Sequence, residues 1–185
     1  EQLIEVEKNI YLWQGDITTL KVDAIVNAGN KALLGCFIPH HRCIDNAIHS
    51  KAGLQLRKEC FDIKQNQGQY EKTGQAKLTS GYNLPAKYVV HTVGPIIYDK
   101  VEERDKELLA SCYRNCLELA VKNGIKSIAF CCISTGEFRF PNELAAEIAV
   151  LAVRTFFKNN PECEIKVIFN VFKDSDFNIY RKILD

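Results

Sequence analysis

The sequence predicts an α/β fold: a three-layer arrangement with a mixed, largely parallel central sheet between helices. Three observations carry that expectation. Strand-like and helix-like runs alternate along the chain at the spacing of βα units, a pattern that builds parallel sheets covered by helices. The stretch from Asp23 to Val26 is a short apolar strand of the type buried on both faces of a parallel sheet. With 185 residues and 46% apolar content, the chain suits one domain with a substantial core.

Taken in order, Leu3–Glu7 and Asn9–Trp13 alternate in places and are rich in β-formers, which places one or two strands at the sheet margin. Gly15-Asp16-Ile17-Thr18 leaves the second strand as a turn. After Asp23–Val26 comes a loop, then a helix from Ile44 to about Ile63, with Ile48, Ala52, Leu56 and Cys60 at fourfold spacing. The polar stretch Gln65–Thr73 reads as a loop, and Gln75–Ser80 and Lys87–Val93 as strands. His91, inside the latter, reads as a hydrogen-bonded core histidine. A long helix spans Glu102 to Asn123 and closes at Gly124. Ser127–Cys132 is another apolar strand. Ser134 to Pro141 links it to a helix beginning near Asn142. Glu164–Phe169 is the last strand, and Asp174-Ser175 caps a final helix to Leu184.

Composition excludes several classes. Net charge is +1, with 24 basic and 23 acidic residues interleaved, so no basic face for duplex nucleic acid is expected. No apolar run of membrane-spanning length and no signal segment are evident. The eight cysteines do not form a secreted disulfide pattern, since Cys131-Cys132 are adjacent in an apolar run and Cys112 and Cys116 share a helix face. A reducing, cytoplasmic setting is expected.

The loop after Asp23–Val26 concentrates the chemistry. Cys36, His41 and Cys43 form C-x4-H-x-C, three soft donors in one short loop. Three protein ligands leave a zinc ion an open position, the catalytic arrangement, whereas structural zinc takes four. The same residue types also occur as a small buried hydrophobe and a solvated histidine pair. His40 rivals His41 as the ligand. His49, one helical turn after Asp45, reads as a packing histidine in preference to a fourth ligand. Asp45 has two readings, a helix N-cap or a carboxylate aimed at a ligand. In the Ser134–Pro141 turn, backbone N–H groups before a helix offer an anion cradle.

Several motifs stand together in one order: Gly15-Asp16-Ile17-Thr18, Val22 to Asn30, Asn83 to Pro95, Ile133 to Pro141, and the C-x4-H-x-C loop. In this the chain resembles the macrodomains over nearly its whole length, and specifically the zinc-dependent macrodomains that hydrolyse ADP-ribose from proteins. The resemblance implies zinc on Cys36, His41 and Cys43. It implies adenine recognition by the Asp16 carboxylate and the Ile17 backbone, with Phe172 stacking on the base; the alternative for Phe172 is an ordinary core position. It makes Ser134, Thr135, Gly136, Glu137 and Phe138 the diphosphate and distal-ribose loop, and has Asn30 orient the distal ribose. Ile44-Asp45-Asn46-Ala47-Ile48-His49 resembles the Val-Asp-Gly-Ala-Ile-His of metal-free hydrolytic macrodomains, which makes Asp45, with Asn30, a catalytic candidate.

The implied activity is zinc-dependent release of ADP-ribose from mono-ADP-ribosylated protein, the metal either activating water or holding a ribose hydroxyl. The rival is a non-catalytic ADP-ribose reader, which has no need of an open metal. Two departures stand out: Gly29 replaces the usual Ala, and Arg139 stands where many macrodomains have glycine, either touching phosphate or facing solvent. Zinc-dependent members also carry a helical segment ahead of the core. A single domain over 1–185 therefore either lacks it or is cut from a longer protein.

Overall fold

The computed structural model describes residues 3–38 and 40–185. Seven strands form one sheet: β1 (Ile4–Glu7), β2 (Ile10–Gln14), β3 (Ala24–Ala28), β4 (Ala76–Ser80), β5 (Tyr88–Thr92), β6 (Ser127–Phe130) and β7 (Lys166–Val171). Their order is β1-β2-β7-β6-β3-β5-β4. The pairs β2–β7, β7–β6, β6–β3 and β3–β5 are parallel, and only the outer pairs β1–β2 and β5–β4 are antiparallel. Five helices complete the three layers: α1 (Ile44–Ala52), α2 (Leu54–Gln67), α3 (Glu103–Lys122), α4 (Asn142–Asn159) and α5 (Asp174–Leu184).

The central strands are apolar on both faces because helices cover both. Ile25, Val26, Val89, Val90, Ile128 and Val167 are all wholly buried. Helix α4 packs against α3 and α5, and α1 against α2. Asp105 Oδ2 accepts the Glu102 N–H at 2.9 Å and starts α3. Beyond its end Gly124 adopts φ +69°, the left-handed conformation that favours glycine.

One helix expected from the sequence is two. The run from Ile44 breaks at Gly53, which sits at φ 95° and ψ 179° between α1 and α2, and α2 continues past Ile63 to Gln67. The fourfold spacing survives the break: Ile48, Ala52, Leu56 and Cys60 are all buried. Smaller differences fall at strand ends. β6 stops at Phe130 rather than Cys132, and β7 runs to Val171 rather than Phe169.

Candidate functional site

Adjacent parallel strands β2, β7, β6 and β3 all end at one edge of the sheet, where open α/β folds bind ligands. The loops after β3, β6 and β7 enclose a cleft of about 450 Å³ there, the size of a small-molecule site.

The β3–α1 loop forms one wall. Cys36 Sγ lies 3.5 Å from His41 Nδ1, and the donor atoms of Cys36, His41 and Cys43 all fall within 4.8 Å of one another. Two thiols and an imidazole on the wall of an open cleft fit zinc in a three-ligand centre. His40 is exposed, at φ +59°, and stands outside this group. Burial pushes the Cys43 thiol up to about 11, against the Asn46 N–H and reinforced by Cys36. A metal binding here therefore displaces a proton.

Cys43, not Asp45, is the N-cap of α1; its Sγ accepts the Asn46 N–H at 3.4 Å. Asp45 lies inside the first turn, 5% exposed, on the cleft wall. Its Oδ1 accepts Asn27 Nδ2 at 2.9 Å. Burial raises its pKa, opposed by that hydrogen bond and by Arg57. Of the two readings of Asp45, the structure favours the carboxylate aimed at the cleft. Asn30 braces its own loop: Oδ1 accepts the Ala32 N–H at 3.0 Å and Nδ2 donates to Gly35 O at 3.1 Å. One N–H and one lone pair of its amide remain for a ligand. A Cβ at Gly29 would make ordinary contacts of 3.4 Å or more, so alanine fits there.

The β6–α4 loop forms the opposite wall. Ser134 sits at φ +66° and Arg139 at φ +61°, while Phe140 N–H donates to Ser134 O and Arg139 N–H to Gly136 O. The backbone N–H groups of Thr135, Gly136, Glu137 and Phe138 donate to nothing among the described residues. Ser134 Oγ is buried and likewise lacks a partner among them. A Cβ at Gly136 would meet nothing, so the protein itself leaves that space open. These features together make a cradle for an anion.

Phe172, at the β7 exit, is 73% exposed on the cleft rim, which rules out a core role. Asp16 and Ile17 are not cleft walls. They lie beside the Phe172 end, where Gly15 N–H donates to Val171 O at 2.9 Å. Asp16 Oδ1 accepts the N–H and the hydroxyl of Thr18 and caps a short 3₁₀ turn, leaving Oδ2 free of these bonds; Ile17 is buried.

The cleft also contains residues the sequence did not single out. Asn170, which interrupts the apolar run Val167–Val171 of β7, donates to Gly15 O at 3.0 Å and holds the β2 exit in place. Asn142 donates to Asp176 Oδ1 at 2.7 Å, joining the first turns of α4 and α5 across the cleft floor. The interruption of an apolar strand by Asn170 was the available signal; Asn142 and Asp176 read as ordinary helix-start residues.

A second group, His49, Cys60 and His91, lies buried beneath. The His91 nitrogens already face Asn27 Nδ2 at 3.3 Å and Thr79 Oγ1 at 2.9 Å, so this is the hydrogen-bonded core histidine expected. Cys112 and Cys116 are core positions, and all eight cysteines are free.

The comparisons agree with this geometry. The "Protein-ADP-ribose hydrolase" of Treponema medium is 57% identical over 174 residues, 94% of this chain and 66% of that protein. The protein of the same name from Staphylococcus aureus strain Mu50 is 53% identical over 178 residues, 96% of this chain and 66% of that one. The chain thus spans just under two thirds of the length of these relatives. The structure of a Trypanosoma brucei macrodomain in complex with ADP-ribose superimposes with a TM-score of 0.85 at 38% identity, covering 100% of this chain and 75% of that one. The Macro domain profile matches residues 26–149, more than half of the sequence, and the chain belongs to the Macro domain family.

Proposed function

We propose that this chain is a zinc-dependent hydrolase that releases ADP-ribose from mono-ADP-ribosylated protein in a reducing, cytoplasmic setting. The observation that carries the reading is the Cys36–His41–Cys43 group beside Asp45, on the wall of a cleft whose opposite wall is an anion cradle. The names of the bacterial relatives and the ADP-ribose complex of the trypanosomal macrodomain support it. The free cysteines suit the compartment.

On this reading Asp16 Oδ2 accepts the adenine amine, the Ile17 backbone contacts the base, and Phe172 covers its face. The free N–H groups from Thr135 to Phe138 hold the diphosphate, with Phe138 beside the distal ribose. Asn30 directs its remaining N–H at a ribose hydroxyl. Asp45 is fixed by Asn27 through one oxygen, leaving the other to orient a water or hydroxyl at the scissile bond. Burial makes this carboxylate a stronger proton acceptor than one in water. Bound zinc, held by Cys36, His41 and Cys43, supplies either an acidified water or an anchor for the ribose hydroxyl.

The test compares parent protein with Cys36→Ala, which spares the helix cap that Cys43→Ala would remove. ADP-ribose affinity and single-turnover release from glutamate-, aspartate- and serine-linked substrates are measured on one preparation. Because a group acting mainly in the transition state lowers turnover more than binding, release should fall at least about 100-fold with affinity within about threefold. A folded, zinc-free variant that hydrolyses at the parent rate refutes the metal reading. Tight ADP-ribose binding by the parent with no release from any linkage makes the chain a reader module instead.

A further inference from the structure

Among the described residues, a side-chain hydrogen bond joins the two loops that face each other across the cleft. Glu137 Oε1, from the β6–α4 loop, lies 3.2 Å from His41 Nε2, on the β3–α1 loop. The other ring nitrogen, Nδ1, faces Cys36 Sγ at 3.5 Å. The contact therefore sorts the two nitrogens of His41: one points to a carboxylate, the other into the thiol group.

We propose that Glu137 is a positioning residue for the metal loop, resting on the zinc reading above. A carboxylate only accepts, so its partner Nε2 must carry the proton, and a neutral imidazole then keeps its lone pair on Nδ1. That is the tautomer a metal shared with Cys36 and Cys43 requires. A carboxylate behind a ligating histidine fixes the ring and raises its basicity.

Other roles fit Glu137 poorly. Its side chain is 76% exposed, and an exposed ion pair contributes little to stability. It also stands among the free N–H groups of the anion cradle, where an acidic side chain repels a diphosphate. Directed across the cleft to His41, its charge is turned from the cradle and toward the metal group. The same contact ties the two loops together above the cleft, so metal loading and anion binding act on one clasp.

The test measures zinc affinity by competition with a chromophoric chelator, on metal-free protein reloaded with zinc. The variants are Glu137→Ala and Glu137→Gln, with Glu147→Ala as an exposed control. Glu137→Ala should weaken zinc about 10- to 100-fold, the usual effect of losing such a partner. Glu137→Gln keeps a side-chain oxygen acceptor and should stay within about threefold of the parent. The visible bands of the cobalt-substituted protein should change in the alanine variant and not in the glutamine one, while metal-free melting temperatures remain equal. Parent-like zinc affinity in Glu137→Ala overturns the assignment. An equal loss in Glu137→Gln shows charge rather than an oriented acceptor at work, and overturns the tautomer role. A parent that takes up no zinc instead removes the metal reading on which the proposal rests.

Discussion

At the scale of single residues, the cleft loops hold backbone that side chains rarely adopt. Among the described residues six non-glycines have positive φ, and Leu33, His40, Ser134 and Arg139 of these lie in the two loops facing the cleft. Such conformations cost about 1–2 kcal/mol in a non-glycine residue and persist where surrounding contacts enforce them. Arg139 at φ +61° shows why glycine is common at this position in related macrodomains. Arg139→Gly should therefore stabilise the ligand-free protein. The relief exceeds the extra freedom that glycine gives the unfolded chain, roughly 0.5–1 kcal/mol. A net gain near 1 kcal/mol raises the melting temperature by about 2–4 °C in a chain of this size. A melting temperature that falls by a similar amount would show that the arginine side chain holds the loop through contacts outweighing its backbone strain. The site residues that sit in motif loops were legible from their types and spacing. Phe172 left a choice between a core position and a base-stacking one, and its exposure excludes the core. Residue types alone left His40 beside His41; the family spacing favoured His41, and it is His41 that meets Cys36 and Glu137.

At the scale of elements, the alternation of βα units exposed the parallel core of the sheet, because strands buried on both faces are apolar throughout. The break between α1 and α2 was not legible. Gly53 falls between the apolar positions rather than among them, and a lone glycine in a helical pattern does not declare a turn. Asn142, Asp176 and Asn170 become site residues only through the strand order β7-β6-β3, which no local pattern encodes. The exit of β5 supplies a further dependence between elements. A Cβ at Gly94 would collide with Ser134 Oγ and stand 2.8 Å from Ile133 Cγ2, at the root of the anion loop. Ser134 cannot easily withdraw, since it is buried and already in the left-handed region. Gly94→Ala should cost about 1–3 kcal/mol, the range for overpacking a tight interior. It should also weaken ADP-ribose binding measured by calorimetry, although residue 94 is not a cleft wall. Unchanged stability and affinity would mean that the β6–α4 loop moves freely over the β5 exit, against the contacts described.

At the scale of the whole molecule, the buried histidines make folding sensitive to acid. His49 is depressed to about 4, first by burial and then by the Arg57 charge, and His91 to about 3, first by burial and then by His49. In the unfolded chain both titrate near about 6.5. Below that pH the unfolded state binds protons that the folded state refuses, so stability is full above about 6.5 and lost as pH falls toward the folded values. Each histidine can contribute up to about 1.4 kcal/mol per pH unit inside its window. Asp45, whose Oδ1 lies 3.5 Å from His49 Nε2, works in the opposite sense, because its raised pKa lets the folded state take up a proton first. Two histidines act against one carboxylate, so between about pH 7 and 5 the unfolding free energy from urea melts should decline. The measurement belongs on metal-free protein, so that zinc loss from Cys36, His41 and Cys43 does not imitate the effect. His49→Gln removes one titrating group, whose Nε2 lies 3.5 Å from Asp45 Oδ1 without making a hydrogen bond to it, so it should flatten the decline. A parent profile that stays level across this range, or a variant that keeps the full slope, would place the acid sensitivity elsewhere in the fold.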